Sequence, residues 1–96
     1  MTDTPDVREN SAAGRYEVSI GDQVAFLQYR DLSSGTRVLV HTEVPAPLEG
    51  LGLGTRLVKA ALEDARGRNR RIVPACPFVA SYIGRHAEYQ DLVAAT

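Results

Sequence analysis

Gly50, Gly52 and Gly54 alternate through the run Glu49-Gly50-Leu51-Gly52-Leu53-Gly54-Thr55, where the apolar pattern changes from strand-like to helical. Glycine lets a backbone approach a ligand closely and take positive φ without steric cost. A helix that begins there directs its unpaired N–H groups and the positive end of its dipole at whatever occupies the loop. The chemistry this spacing suits is anion binding, above all of a phosphate. A Walker A loop would need Gly-x-x-x-x-Gly-Lys-Ser/Thr, and no Lys-Ser or Lys-Thr follows. A dinucleotide fingerprint would need Gly-x-Gly-x-x-Gly and an acidic residue about 20 positions on. Here the spacing is Gly-x-Gly-x-Gly, and positions 68–72 read Arg-Asn-Arg-Arg-Ile. The structural alternative is a glycine-rich turn that lets the helix pack close to the strand.

Two further side chains carry reactive chemistry. Cys76 precedes Pro77, and proline suits the first position of a helix, so Cys76 falls at or near an N-cap. A thiol there feels the positive helix end, which lowers its pKa and favours thiolate. The alternative is a small buried hydrophobe. His41 lies just before the glycine loop. Regular alternation puts it on a strand face with Leu39 and Glu43, opposite Val38 and Val40, where it could act as a base or stand as a hydrogen-bonded structural histidine. One cysteine and two histidines make no metal set of recognisable spacing, so no metal is expected.

The elements that must position these groups follow from periodicity. Residues 1–13 are polar and small and are expected to be a disordered tail, leaving 14–96 as a single domain. Alternation predicts strands over Tyr16 to Ile20, Gln23 to Arg30 and Arg37 to Val44, joined by Gly21-Asp22 and by a Ser/Asp/Gly-rich loop. Pro45 and Pro47 stop the third strand. Leu53, Leu57, Val58, Ala61, Leu62 and Ala65 then form one helical stripe, with Gly67 a candidate C-cap. Arg71 to Ala75 reads as a fourth strand, a second helix starts near Pro77, and Glu88 to Ala94 adds a helical turn or two.

The order β-β-β-α-β-α describes an α/β (α+β) fold: an antiparallel meander followed by one crossover. A helix of about 15 residues is about 22 Å long, close to the length of a strand. It can return the chain to the far end of the sheet and make the fourth strand parallel to the third. Ligands of open α/β sheets sit beyond the carboxyl ends of parallel strands. That rule brings the glycine loop and Ala75-Cys76-Pro77 to one crevice.

Composition bounds the function. The 96 residues carry 11 basic and 12 acidic side chains, so the basic excess that nucleic-acid or membrane-surface binding needs is missing. No apolar run reaches the length of a membrane span, and residues 1–10 contain neither an h-region nor a basic n-region, so no secretion signal is expected there. A lone cysteine forms no internal disulfide, which makes a reducing cytoplasm the expected compartment.

The stretch from Val44-Pro45 through Leu62 resembles the acetyl-CoA-binding segment of the GNAT N-acetyltransferase superfamily, whose signature is Gln/Arg-x-x-Gly-x-Gly/Ala. Gly52 and Gly54 match its glycines, and Glu49 stands where Gln or Arg is usual. More closely, the chain resembles the small stand-alone N-acetyltransferase domain proteins. The matching pieces are Val40-His41-Thr42-Glu43-Val44, Leu48-Glu49-Gly50, Gly52-Leu53-Gly54, Pro74-Ala75-Cys76-Pro77-Phe78-Val79 and Tyr82-Ile83-Gly84-Arg85-His86-Ala87-Glu88-Tyr89.

The resemblance implies a minimal GNAT fold with a splayed strand pair, and acetyl-CoA as donor. It implies cofactor contacts from Glu43, Val44, Leu51, Gly52, Leu53, Gly54, Thr55 and Arg56, with the thioester near His41–Val44 and Cys76. Cys76 becomes a candidate acetyl acceptor or catalytic thiol, His41 a candidate base, and Tyr82 a candidate general acid toward the departing CoA thiolate. A core aromatic is the alternative for Tyr82. Larger relatives build an acceptor pocket from two helices after the first strand, yet here only Gly21-Asp22 separates the first two strands. The acceptor amine would then be held across an oligomer interface or presented by a large partner. The implied activity is acetyl transfer to an amine; the alternative is a non-catalytic CoA sensor or interaction module. Arg85 and His86 match the same family segment and are expected to cap the negative end of the second helix.

Overall fold

The structure, a computed structural model, describes residues 6–94. Strands β1 (Arg8–Asn10), β2 (Arg15–Ile20), β3 (Gln23–Asp31) and β4 (Arg37–Glu43) lead through a 3-10 turn (Ala46–Leu48) into helix α1 (Leu53–Gly67). Strand β5 (Ile72–Pro74), helix α2 (Pro77–Arg85) and a 3-10 segment (Ala87–Leu92) complete the described chain. One sheet runs β1-β2-β3-β4-β5, antiparallel through β4, with β5 parallel to β4.

The helical stripe read from sequence is the face α1 buries: Leu53, Leu57, Val58, Ala61, Leu62 and Ala65. It packs on the inward-facing Val18, Ala25, Leu27 and Leu39 of the sheet, each fully buried, and α2 and the 3-10 segment add Val79, Ile83, Tyr89 and Leu92 to the same core. Burying a leucine or valine side chain fully is worth about 1.5–3 kcal/mol. This one cluster therefore carries the fold. On the other face of the sheet Val24, Phe26 and Val73 are half-buried, and Gln28 and His41 are exposed.

Three expectations are corrected. The N-terminal tail lies partly outside the described residues, at 1–5, but Arg8–Asn10 is a strand paired with Arg15–Glu17, not a disordered segment. Its ordering follows from Glu9, which reaches Arg37 at 3.1 Å, Arg68 at 3.1 Å and the Tyr29 hydroxyl. The end of α1 is also different: Gly67 is still helical, and Asn69 takes the left-handed conformation (φ 56°) that closes the turn. Asparagine is the other residue that tolerates this region.

The third correction matters most for the site. The β3–β4 ladder pairs Tyr29 with Leu39 and Gln28 with His41, so Val40 is an extra residue, a β-bulge. A bulge resets the alternation of every side chain after it. Leu39 points into the core, Val40 and His41 both turn to the exposed side, and Thr42 returns to the inner side. His41 thus lies opposite Leu39 and with Val40, the reverse of what strict alternation predicts.

At the end of the sheet away from the glycine loop, the buried Arg37 guanidinium ties four elements together. It forks the Asp31 carboxylate at 2.7 and 3.0 Å, donates to the Tyr16 hydroxyl at 2.8 Å, and lies over the Tyr29 ring, 3.6 Å from its centroid. Tyr16 in turn donates to Asp64 of α1 at 2.7 Å.

Candidate functional site

The parallel pair β4–β5 is short. Arg37, Val38 and Leu39 pair with Ile72, Val73 and Pro74, and the last link is the Cys76 N–H donating to the Leu39 carbonyl at 2.9 Å. Beyond Leu39, β4 runs on to Glu43, while the β5 chain leaves the sheet and enters α2. Pro74 and Pro77 explain the departure, since neither can donate to a ladder. The strands therefore splay. The opening is continued by a cleft of about 370 Å³ lined by Thr42, Val44, Leu48, Glu49, Gly50, Gly52, Leu53, Gly54, Thr55 and Phe78.

The three glycines serve two different needs. Gly50 (φ 87°) and Gly52 (φ 76°) take left-handed conformations, and Gly52 is the N-cap of α1. Gly54 has ordinary helical backbone, but a Cβ there would stand 3.1 Å from the Phe78 ring. Gly50 and Gly52 are thus required by backbone conformation, and Gly54 by close packing against α2 rather than against the strand. No side chain caps α1 and no acidic residue occupies its first turn; its first ladder bond is from Arg56 N–H to Gly52 O at 3.1 Å. The N–H groups of Leu53, Gly54 and Thr55 precede that bond, so they are left for a ligand in the cleft. A phosphate fits this donor set, because the helix dipole and the uncapped amides act in the same direction. Among the described residues no cluster of histidine, cysteine, aspartate or glutamate could hold a metal.

Cys76 is the N-cap of α2, as Pro77 at N1 predicts. Its sulfur lies 3.6 Å from Thr42 Oγ1. Burial pushes the thiol pKa up, but the Val79 amide, the Thr42 hydroxyl, and the Phe78 and Thr42 amides pull it down further, and the net shift is downward. The sulfur accepts no full capping hydrogen bond from the first turn of α2, so these amides act mainly as nearby dipoles. Cys76 is 5% exposed and does not line the cleft; Thr42, which does, is in contact with its sulfur.

The other expected residues divide. Val44, Gly52, Leu53, Gly54 and Thr55 line the cleft, whereas Glu43, Leu51 and Arg56 do not. Leu51 projects from the loop, 57% exposed. His41 and Glu43 share the exposed face, with Nε2 and Oε1 3.2 Å apart and the imidazole edge-on to Phe26. The bulge thus keeps His41 and Cys76 on opposite sides of β4. Tyr82 is a core aromatic: it is buried, stacks on His86 with ring centroids 3.9 Å apart, and lies near Tyr89. Burial, then the Glu88 and Glu63 charges, raise its pKa. It sits six positions after Cys76, about 9 Å along the helix axis. His86 caps α2, its Nδ1–H donating to the Tyr82 carbonyl at 2.8 Å; a carbonyl can only accept, so the proton is on Nδ1.

Thr42, Leu48, Glu49, Gly50 and Phe78 line the cleft without having been expected as individual contacts, although Thr42 falls in the His41–Val44 stretch expected beside the thioester. The bulge hid the side of β4 that Thr42 takes. Phe78 was legible, since Pro77 at N1 puts the next residue in the turn beside Cys76.

Comparison with known proteins agrees with this fold. A family model for the GCN5-related N-acetyl-transferase matches residues 15–92. The fold is similar to the NMR solution structure of a GCN5-like protein from Staphylococcus aureus, with TM-score 0.73, 24% identity, and coverage of 99% of this chain and 93% of that one. With the match spanning strands β2 to β5, the cleft and both helices, the chain belongs to the GCN5-related N-acetyltransferase family.

Proposed function

We propose that the chain binds acetyl-CoA with its pyrophosphate on the Leu53–Thr55 amides and transfers the acetyl group to an amine through Cys76. The observation that carries this reading is the uncapped first turn of α1 opening onto a cleft whose wall residue Thr42 contacts a thiol of lowered pKa. The Cys76 thiolate attacks the thioester carbonyl, the bond from carbonyl carbon to CoA sulfur breaks, and the CoA thiolate leaves to take a proton from water. An amine then attacks the acetyl-cysteine, loses its proton to solvent, and regenerates the Cys76 thiolate. The acceptor belongs to an open class: an amine held across an oligomer interface, or one presented by a larger partner. The lone thiol fits a reducing cytoplasm.

Three measurements test this. Calorimetry with acetyl-CoA should detect binding, and no heat at millimolar ligand would refute it. Intact-protein mass after mixing and acid quench should gain one acetyl group, and Cys76→Ala should abolish the gain while binding survives. A panel of amines should accelerate CoA release.

A second reading is favoured by one observation: Cys76 does not line the cleft and His41 faces away from it. A non-catalytic acetyl-CoA sensor would keep the cradle, gain no acetyl mass, and release no CoA with any amine.

A further inference from the structure

We propose that the Thr42 hydroxyl is the positioning group for Cys76, donating a hydrogen bond to its thiolate and aligning the sulfur with the cleft. The inference rests on the reading of Cys76 as the acetyl-accepting thiol. Two contacts carry it. Thr42 lines the cleft, and its Oγ1 lies 3.6 Å from the Cys76 sulfur, so one side chain joins the two halves of the site. Among the described residues this hydroxyl has no other hydrogen-bond partner, so its proton is available to the sulfur. Either atom can donate while Cys76 is a thiol. Once the proton leaves to solvent, the sulfur can only accept, and the hydroxyl must turn toward it.

The backbone makes this geometry stiff. The bulge at Val40 returns Thr42 to the inner side of β4, and the Cys76 N–H is held by the Leu39 carbonyl at 2.9 Å. Threonine adds a branched Cβ that restricts χ1. The groups acting on the sulfur from β4 and α2 are dipoles: the Thr42 hydroxyl and amide and the Phe78 and Val79 amides. No charged side chain of β4, β5, α1 or α2 is among them, and His41 and Glu43 pair with each other on the opposite side of the strand.

The test uses the fact that the chain has one cysteine, so alkylation by iodoacetamide reports on Cys76 alone. The rate is measured against pH for the wild type, T42V, T42S and H41A, with circular dichroism as a check of folding. T42V keeps the shape and loses the donor, and should raise the thiol pKa by about one unit, which is about tenfold less alkylation at neutral pH. T42S should restore most of the rate, and H41A should leave the pKa where it is. A T42V profile that superimposes on the wild type would overturn the proposal, as would T42S behaving like T42V, or H41A shifting the pKa as far as T42V. Acetyl uptake from acetyl-CoA, followed in parallel by intact mass, separates the two readings. No uptake by the wild type refutes the acetyl-cysteine, whereas an unmoved alkylation pKa refutes the role of Thr42.

Discussion

Replacing Gly52 and Gly54 one at a time by alanine should change stability in different ways, although the two glycines stand two residues apart in one motif. At Gly52 the backbone has φ 76° and a Cβ would meet nothing within 4 Å, so the penalty is conformational and not steric. Holding a non-glycine residue in the left-handed region costs about 1–2 kcal/mol. Alanine also stiffens the unfolded chain, which returns about 0.5 kcal/mol. The net loss for G52A is therefore about 1 kcal/mol, or about 4–8 °C in melting temperature for a domain of this size. G52N should lose less, since asparagine tolerates the same region.

At Gly54 the backbone is helical and the obstacle is the Phe78 ring, 3.1 and 3.2 Å from a built Cβ. Phe78 is 40% exposed, so the ring can give way outward. Alanine gains up to about 1 kcal/mol of helix propensity, and displacing the ring costs about as much. G54A should then unfold within about 0.5 kcal/mol of the wild type while narrowing the cleft. Urea and thermal unfolding of the three variants measure these differences. A G52A protein as stable as the wild type, or a G54A protein less stable than G52A, would refute the assignment of the two glycines to two separate needs.

Arg37→Met should cost about 3 kcal/mol in urea unfolding, because it leaves Asp31, Glu9 and the Tyr16 hydroxyl without their shared donor; a loss under about 1 kcal/mol would mean that the network contributes little. All four tyrosines titrate above their ordinary value, Tyr29 and Tyr89 being pushed up to about 12, the first by burial and its bond to Glu9, the second by its bond to Glu63. The folded state thus favours the neutral phenol, so this stability is complete below pH about 10 and is lost as pH rises through the folded values. Tyrosinate absorbance should accordingly appear near pH 10 in urea and well above it in native buffer, and coincident titrations would contradict the hydrogen bonds. Phe78→Ala should open the path from the cleft to Cys76 and raise the limiting alkylation rate at high pH severalfold, with a modest loss of stability; an unchanged rate would place the path elsewhere.

Sequence periodicity alone determined α1 and the strands β2 to β4, because α1 buries the same six residues its stripe predicts and β2 and β3 bury alternate positions, Tyr16 and Val18 in one and Ala25, Leu27 and Tyr29 in the other. It also determined the two ends of the site. Glycine at 50 and 52 and proline at 77 are local backbone constraints, and local constraints are written in adjacent residues. Strand β1 was not legible, since Arg8–Asn10 has no apolar alternation and is ordered by Glu9 reaching Arg37 and Arg68, partners far along the chain. Nor was the identity of the residue beside Cys76. His41 and Thr42 are neighbours, and only the bulge at Val40 decides which of them faces the thiol. A bulge is a property of two strands in register, not of one. Its single extra residue turns the imidazole to solvent and the hydroxyl to the sulfur, a choice made by tertiary pairing.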